Sequence, residues 1–134
     1  MAFVALSLIW AVQTAPVLSG PAPVPPETPG ITRTQIQQHD LSIAHWEAVQ
    51  VRVDFAPGAI VPRHVHTGDE IVYVLKGRIE YRLDGEPRAT LNEGDVLFIP
   101  KGKPHSATNV GLEPASELAT YVGEKDKPLT VPLP

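Results

Sequence analysis

His64 and His66 stand two residues apart in the stretch RHVHTGDEIVYVLKG, and Glu70 follows the second of them by four positions. Residues two apart in a strand project from one face. The two imidazoles therefore point one way, and Arg63 and Val65 the other. Thr67, Gly68 and Asp69 carry turn chemistry that brings Glu70 back toward the pair. Glu70 shares its face with Val72 and Val74, so a carboxylate heads an otherwise apolar stripe. A charge there is costly unless it is paired or bound to a metal. Two imidazoles and a carboxylate form a ligand set for one divalent first-row transition metal, and iron, manganese, nickel, copper, cobalt and zinc all accept it. A fourth ligand is available in GDVLFIPKGKPHSATN, where His105 follows a rigid Pro100-Lys101-Gly102 turn. A carboxylate beside a substrate hydroxyl also acts as a general base, which gives Glu70 a catalytic role to test.

The elements that must position these residues read as short strands. VQVRVDF alternates Val49, Val51, Val53 and Phe55 with polar residues, the period of a half-buried strand. RIEYRLDGEPRATL alternates Ile79, Tyr81 and Leu83 with Arg78, Glu80 and Arg82, and Asp84-Gly85 supplies a hairpin turn before Ala89 and Leu91. DVLFIP is apolar on both faces, as expected of a strand between two layers, and ELATYVG is the last candidate strand. No stretch has a convincing helical period. Strands separated by turn signals, without helical spacers, predict an all-β sandwich or barrel. Arg52, Arg78 and Arg82 fall outside the inner face, so the phased strands place no cation in the interior. An apolar surround of this kind suits a small aromatic or enol-like chelator better than a sugar phosphate. Tyr73 and Tyr81 are the nearest phenols and read first as packing residues. His39 and His45 lie away from the ligand stretches and read as surface or strand-end residues.

Composition narrows the function further. The chain has 134 residues, a formal charge of -4 and no cysteine. Its length fits one domain. The acidic balance without a basic cluster argues against nucleic acid and anionic membranes as partners. The lack of cysteine removes disulfides, thiolate metal sites and cysteine nucleophiles.

Residues 58–77 follow G-x5-H-x-H-x3-E-x6-G, and residues 94–109 follow G-x5-P-x-G-x2-H-x3-N. These resemble the two paired motifs of the cupin superfamily. The match covers Gly58, His64, His66, Glu70 and Gly77 in the first, and Gly94, Pro100, Gly102, His105 and Asn109 in the second. The resemblance implies a double-stranded β-helix, the jelly-roll barrel of cupins, with the metal held inside by His64, His66, Glu70 and His105. Asn109 reads as a loop-fixing residue. The resemblance is to the quercetinase-like group in particular, which implies an oxygenase acting on a small apolar or aromatic metal-chelating substrate. A metal-dependent isomerase or lyase, and an exported module that binds metal or a small ligand without turnover, are the alternatives.

Outside the motifs, residues 2–12 form an apolar run of signal-peptide length, short of the roughly 20 residues needed to span a bilayer, although no basic residue precedes it. Residues 1–19 therefore read as a signal peptide, 20–30 as a Pro-rich linker and 31–134 as the cupin domain. This places the mature protein in the periplasm or outside the cell, without stable membrane insertion. The closing KPLTVPLP reads as an extended surface tail. Ile71, Tyr73 and Leu75 are apolar on the outer face of their strand and call for a cover, such as a homodimer partner.

Overall fold

A computed structural model of the protein describes residues 27–134. The expected signal peptide, and the linker up to residue 26, lie outside the described residues. Ten strands follow one another: β1 (Ile31–Asp40), β2 (Trp46–Phe55), β3 (Ile60–His66), β4 (Asp69–Lys76), β5 (Arg78–Leu83), β6 (Ala89–Asn92), β7 (Val96–Ile99), β8 (His105–Asn109), β9 (Ala115–Glu124) and β10 (Thr130–Pro132). No helix occurs among the described residues, so none is long and apolar enough to cross a membrane. One five-stranded sheet has the order β1-β2-β9-β4-β7 and the other the order β10-β3-β8-β5-β6. All pairings are antiparallel. The two sheets are the walls of the all-β double-stranded β-helix that the motifs imply.

The period-two patterns become the inner faces. Val49, Val51, Val53 and Phe55 of β2, Val72 and Val74 of β4, and Ile79, Tyr81 and Leu83 of β5 are all buried. Alternation works here because each sheet has one wet face and one face against its partner. Gly68 sits where β3 crosses to β4, and a Cβ at that position would lie 2.4 Å from the Val122 carbonyl oxygen. Only glycine lets the turn lie this close on β9, and the turn sets where Glu70 enters. Asn109 fixes a second junction: its amide nitrogen donates to the carbonyls of Phe55, Ala56 and Glu113, and its oxygen accepts from the Gly111 amide.

Three strands differ from the expectations. DVLFIP forms β7 at a sheet edge, where Ile99 is buried but Val96 and Phe98 are 65% and 57% exposed. An apolar run on both faces matches an unpaired outer face as well as a covered one, and composition alone does not separate the two. The closing segment is more than a surface tail, because Thr130, Val131 and Pro132 pair with His66, Val65 and His64. Its single edge ladder carries too short a pattern to stand out. Finally, β1 brings inward-facing residues that the phased strands left out. Its residue Arg33 pairs with Val53, and Val53 with Glu117.

Candidate metal centre

Three strands deliver the expected ligands to one place. His64 and His66 end β3, Glu70 opens β4, and His105 opens β8 directly opposite His64 in the β3–β8 ladder. All four are buried. The three imidazole centroids lie 4.2 to 5.0 Å apart. His64, His66 and His105 each offer a nitrogen within 4.8 Å of the others, a spacing that can hold a metal ion.

The backbone decides which nitrogens face the centre. His64 Nδ1 lies 2.7 Å from the Pro62 carbonyl, His66 Nδ1 2.7 Å from that of Leu129, and His105 Nδ1 2.9 Å from that of Lys103. A carbonyl only accepts, so each Nδ1 must carry a proton, and each ring in its neutral form presents a bare Nε2 lone pair. Those Nε2 atoms converge, with His64 and His66 at 3.1 Å. Glu70 Oε2 lies 3.0 Å from His66 Nε2 and 3.3 Å from His105 Nε2, yet it is buried without a well-formed hydrogen bond. Acceptors facing acceptors in a dry interior repel unless something positive lies between them. A single shared proton satisfies at most one contact, whereas a divalent cation can satisfy the three histidines together, with Glu70 beside His66 and His105 as the adjoining fourth group. The residues present therefore fit a metal. Imidazoles oriented by carbonyls at Nδ1 are the usual outer support of such a ligand set.

Charge states agree with this chemistry. Burial, followed by the neighbouring His105, lowers the His64 pKa to about 4, so the ring is neutral and ready to ligate at ordinary pH. Burial alone would raise the Glu70 carboxyl, but a proton on the facing nitrogens of His105 or His66 outweighs it and holds the group well below the usual carboxylate range, as a cation in the same place would. Protons compete with metal for imidazole nitrogens. Metal content is thus expected to fall as pH drops from 8 toward 4, measured by elemental analysis after dialysis at each pH. Equal content at both ends would remove the imidazoles from the site.

The ligands line a cavity of about 320 Å³, mouth included, whose free core of about 20 Å³ holds little more than one water. Val53, Val61 and Ala107 give it the apolar walls expected from the phased strands. The expectation of an interior without cations does not hold, because Arg33 also lines the cavity. Arg52, Arg78 and Arg82 do stay outside, but the largely polar β1 carries no apolar alternation to mark its inner face. Glu117, Tyr121 and Thr130 were missed as well. Glu117 and Tyr121 share one face of ELATYVG, so extending its alternation would have found them. Tyr121 pairs with Glu70 across β9 and β4, and its ring centroid lies 4.8 Å from that of His66. Tyr81 donates its phenol hydrogen to Glu117, whereas Tyr73 lies on the outer face, 45% exposed, and takes no part. Burial first, and then the charge of Glu70, pushes the Glu117 pKa up to about 8.

Residues 51–121 match the family model described as Cupin domain, and the chain belongs to that family. Among curated proteins it is 40% identical over 75 residues to the probable germin-like protein subfamily 2 member 5 of Arabidopsis thaliana, covering 52% of this chain and 35% of that one. It is 31% identical over 108 residues to oxalate oxidase GF-3.8 of Triticum aestivum, covering 70% and 48%. The chain thus spans less than half the length of these relatives. Among solved structures, KdgF from Halomonas sp. aligns with a TM-score of 0.59 at 27% identity, covering 73% of this chain and 83% of that one. The DMSP lyase DddQ of Ruegeria pomeroyi aligns at 0.57 and 31%, covering 63% and 42%.

Proposed function

We propose that the protein is a mononuclear metal-dependent oxygenase acting on a small metal-chelating substrate, with His64, His66, Glu70 and His105 as ligands and Glu70 also as proton acceptor. The observation that carries this reading is the convergence of three Nε2 atoms on one another, two of them also facing a buried, unsatisfied Glu70 oxygen. A divalent first-row ion bound there would supply a Lewis acid with open coordination positions and, if redox-active, electrons for O2. The carbonyls of Pro62, Leu129 and Lys103 hold the rings in their ligating tautomer. Glu70, ionised at neutral pH, is placed to take a proton from a substrate hydroxyl. Val53, Val61 and Ala107 keep bulk water out, and the narrow core restricts the substrate to a small molecule. Similarity to an oxalate oxidase supports oxidative chemistry at such a site.

The test is metal analysis of protein purified from its native host, followed by an oxygen electrode with a panel of small chelating acids, enols and phenols. Oxygen uptake that His105→Ala abolishes supports the proposal. Turnover without oxygen uptake would replace it with a lyase or isomerase. That second reading has its own support in Glu117, a carboxyl that keeps its proton near neutrality within the same cavity. A co-purified ligand without any turnover would point to a binding module instead.

Two further properties belong to this reading. On the outer sheet face, Ile71 lies opposite Phe98 and Tyr73 opposite Val96, making an exposed apolar patch. A homodimer burying this face is the expected state, and light scattering at micromolar concentration should give twice the chain mass; a single mass would remove it. Export is expected too, with mature protein starting near Gly20. Intact Met1 found by N-terminal sequencing of a cytoplasmic fraction would reject it.

A further inference from the structure

The cavity has a second polar end, well away from the ligands. Arg33, Val53 and Glu117 form one row across β1, β2 and β9, continued by Val74 of β4. Arg33 and Glu117 are thus two strand spacings apart, on the order of 9.6 Å between backbones. Both line the cavity that holds the histidines. Glu117 makes no ion pair with the arginine; its carboxyl accepts from Tyr81 of the opposite sheet, and burial favours its neutral form. Arg33 forms no ion pair with any of the described residues. Arg33 is also the one cationic side chain among the described residues lining the cavity. A guanidinium facing a confined space without a counter-ion is a receptor for an anion, and its planar fork matches the two oxygens of a carboxylate.

We infer that Arg33 anchors the carboxylate of a small organic acid whose other end meets the metal centre. This inference rests on the metal-centre reading and adds the substrate class. A second negative charge would go unmatched beside Glu70, which favours a carboxylate over a phosphate dianion. Register fixes the span. Tyr121, level with Glu70, and Glu117, level with Arg33 through Val53, are four residues apart on β9. At ~3.3 Å per residue that is ~13 Å. The long arginine side chain closes much of this distance, so a linker of about two or three carbons would bridge the rest, provided the free core of about 20 Å³ widens to admit it. Arg33 is only half-buried, on an edge strand, so it is the wall free to shift as such an acid enters.

The experiment compares matched hydroxamates by calorimetry on the metal-loaded full-length protein. Acetohydroxamate and propionohydroxamate can chelate a metal but carry no acid. The monohydroxamates of malonic and succinic acid add a terminal carboxylate to the same frames. At least one of the two acids should bind tenfold or more tighter than its neutral counterpart. Arg33→Gln should erase that difference while leaving the neutral hydroxamates unchanged, and Arg33→Lys should restore part of it. No preference for either acid in the parent, or a preference that survives Arg33→Gln, overturns the assignment. Tighter binding of a matched phosphonate than of the carboxylate also overturns it. Failure of the metal reading would look different, because the neutral hydroxamates would then gain nothing from metal loading.

Discussion

Reloaded with metal, the Glu70→Gln protein is expected to turn over about 10²–10⁴-fold more slowly than the parent, the usual contribution of a general base. The substitution keeps the size of the side chain and one oxygen to face the ion, but it removes the charge that accepts a proton. Metal affinity should fall too, so the measurement must be made at saturating metal, with content verified by elemental analysis. In the loaded protein the bound cation would keep Glu70 ionised across the neutral range, so the carboxylate is in its accepting form at any working pH. If the fully metallated variant matches the parent, Glu70 is a ligand and nothing more. A persistent deficit assigns it both tasks.

Glu117→Gln is expected to act in the opposite sense, making the folded protein more stable at pH 7 to 8. Burial raises the Glu117 pKa from 4.5 to about 8, so the folded state holds a proton that the unfolded chain has released. Folding stability therefore falls as pH rises from 4.5 toward 8, and it levels off above that. Each tenfold change in proton affinity is worth ~1.4 kcal/mol, which puts the gain from a neutral glutamine at up to a few kcal/mol. Glutamine can still accept the Tyr81 hydrogen bond. The slope from His64 has the other sign. Its pKa is lowered from 6.5 to about 4, so stability is lost as pH falls through that window. Urea unfolding of metal-free protein at pH 5, 6.5 and 8 checks both. The variant should lose the decline toward pH 8 and keep the acid-side decline. An unchanged profile would mean that Glu117 is ionised in the fold, and a destabilised variant would mean that its proton-sharing contact with Tyr81 outweighs its burial.

The metal end of the cavity was legible because its residues are local in sequence. His64, His66 and Glu70 declare their common face through spacing alone, and His105 follows a turn rigid enough to mark its place. The strands carrying Val49 to Phe55 and Ile79 to Leu83 were equally plain, since one wet and one dry face write the period of two into the chain. The other end of the cavity was not legible. Arg33 sits in ITRTQIQQHD, where polar residues occupy nearly every position of an exposed edge strand and no apolar stripe betrays the inner face. Glu117 reads as an ordinary surface acid until the register places it beside Val53 and Val74. The role of Leu129 depends on a main-chain oxygen, and a carbonyl leaves no trace in residue type.

That Leu129 carbonyl has a consequence for the order of events during folding. Its bond to His66 joins positions 63 residues apart, and the ladder between β2 and β9 pairs Trp46 with Glu124. Antiparallel barrels closed by such distant pairings fold slowly, in milliseconds to seconds, because loop closure precedes the contacts that reward it. Throughout that interval the chain offers His64 and His66 as a flexible two-imidazole chelate, with neither ring locked in its tautomer and His105 still remote. The discrimination among competing ions thus belongs to the closed barrel, whose geometry is reached last. An ion captured early by the open chain must either fit that geometry or leave before the barrel shuts.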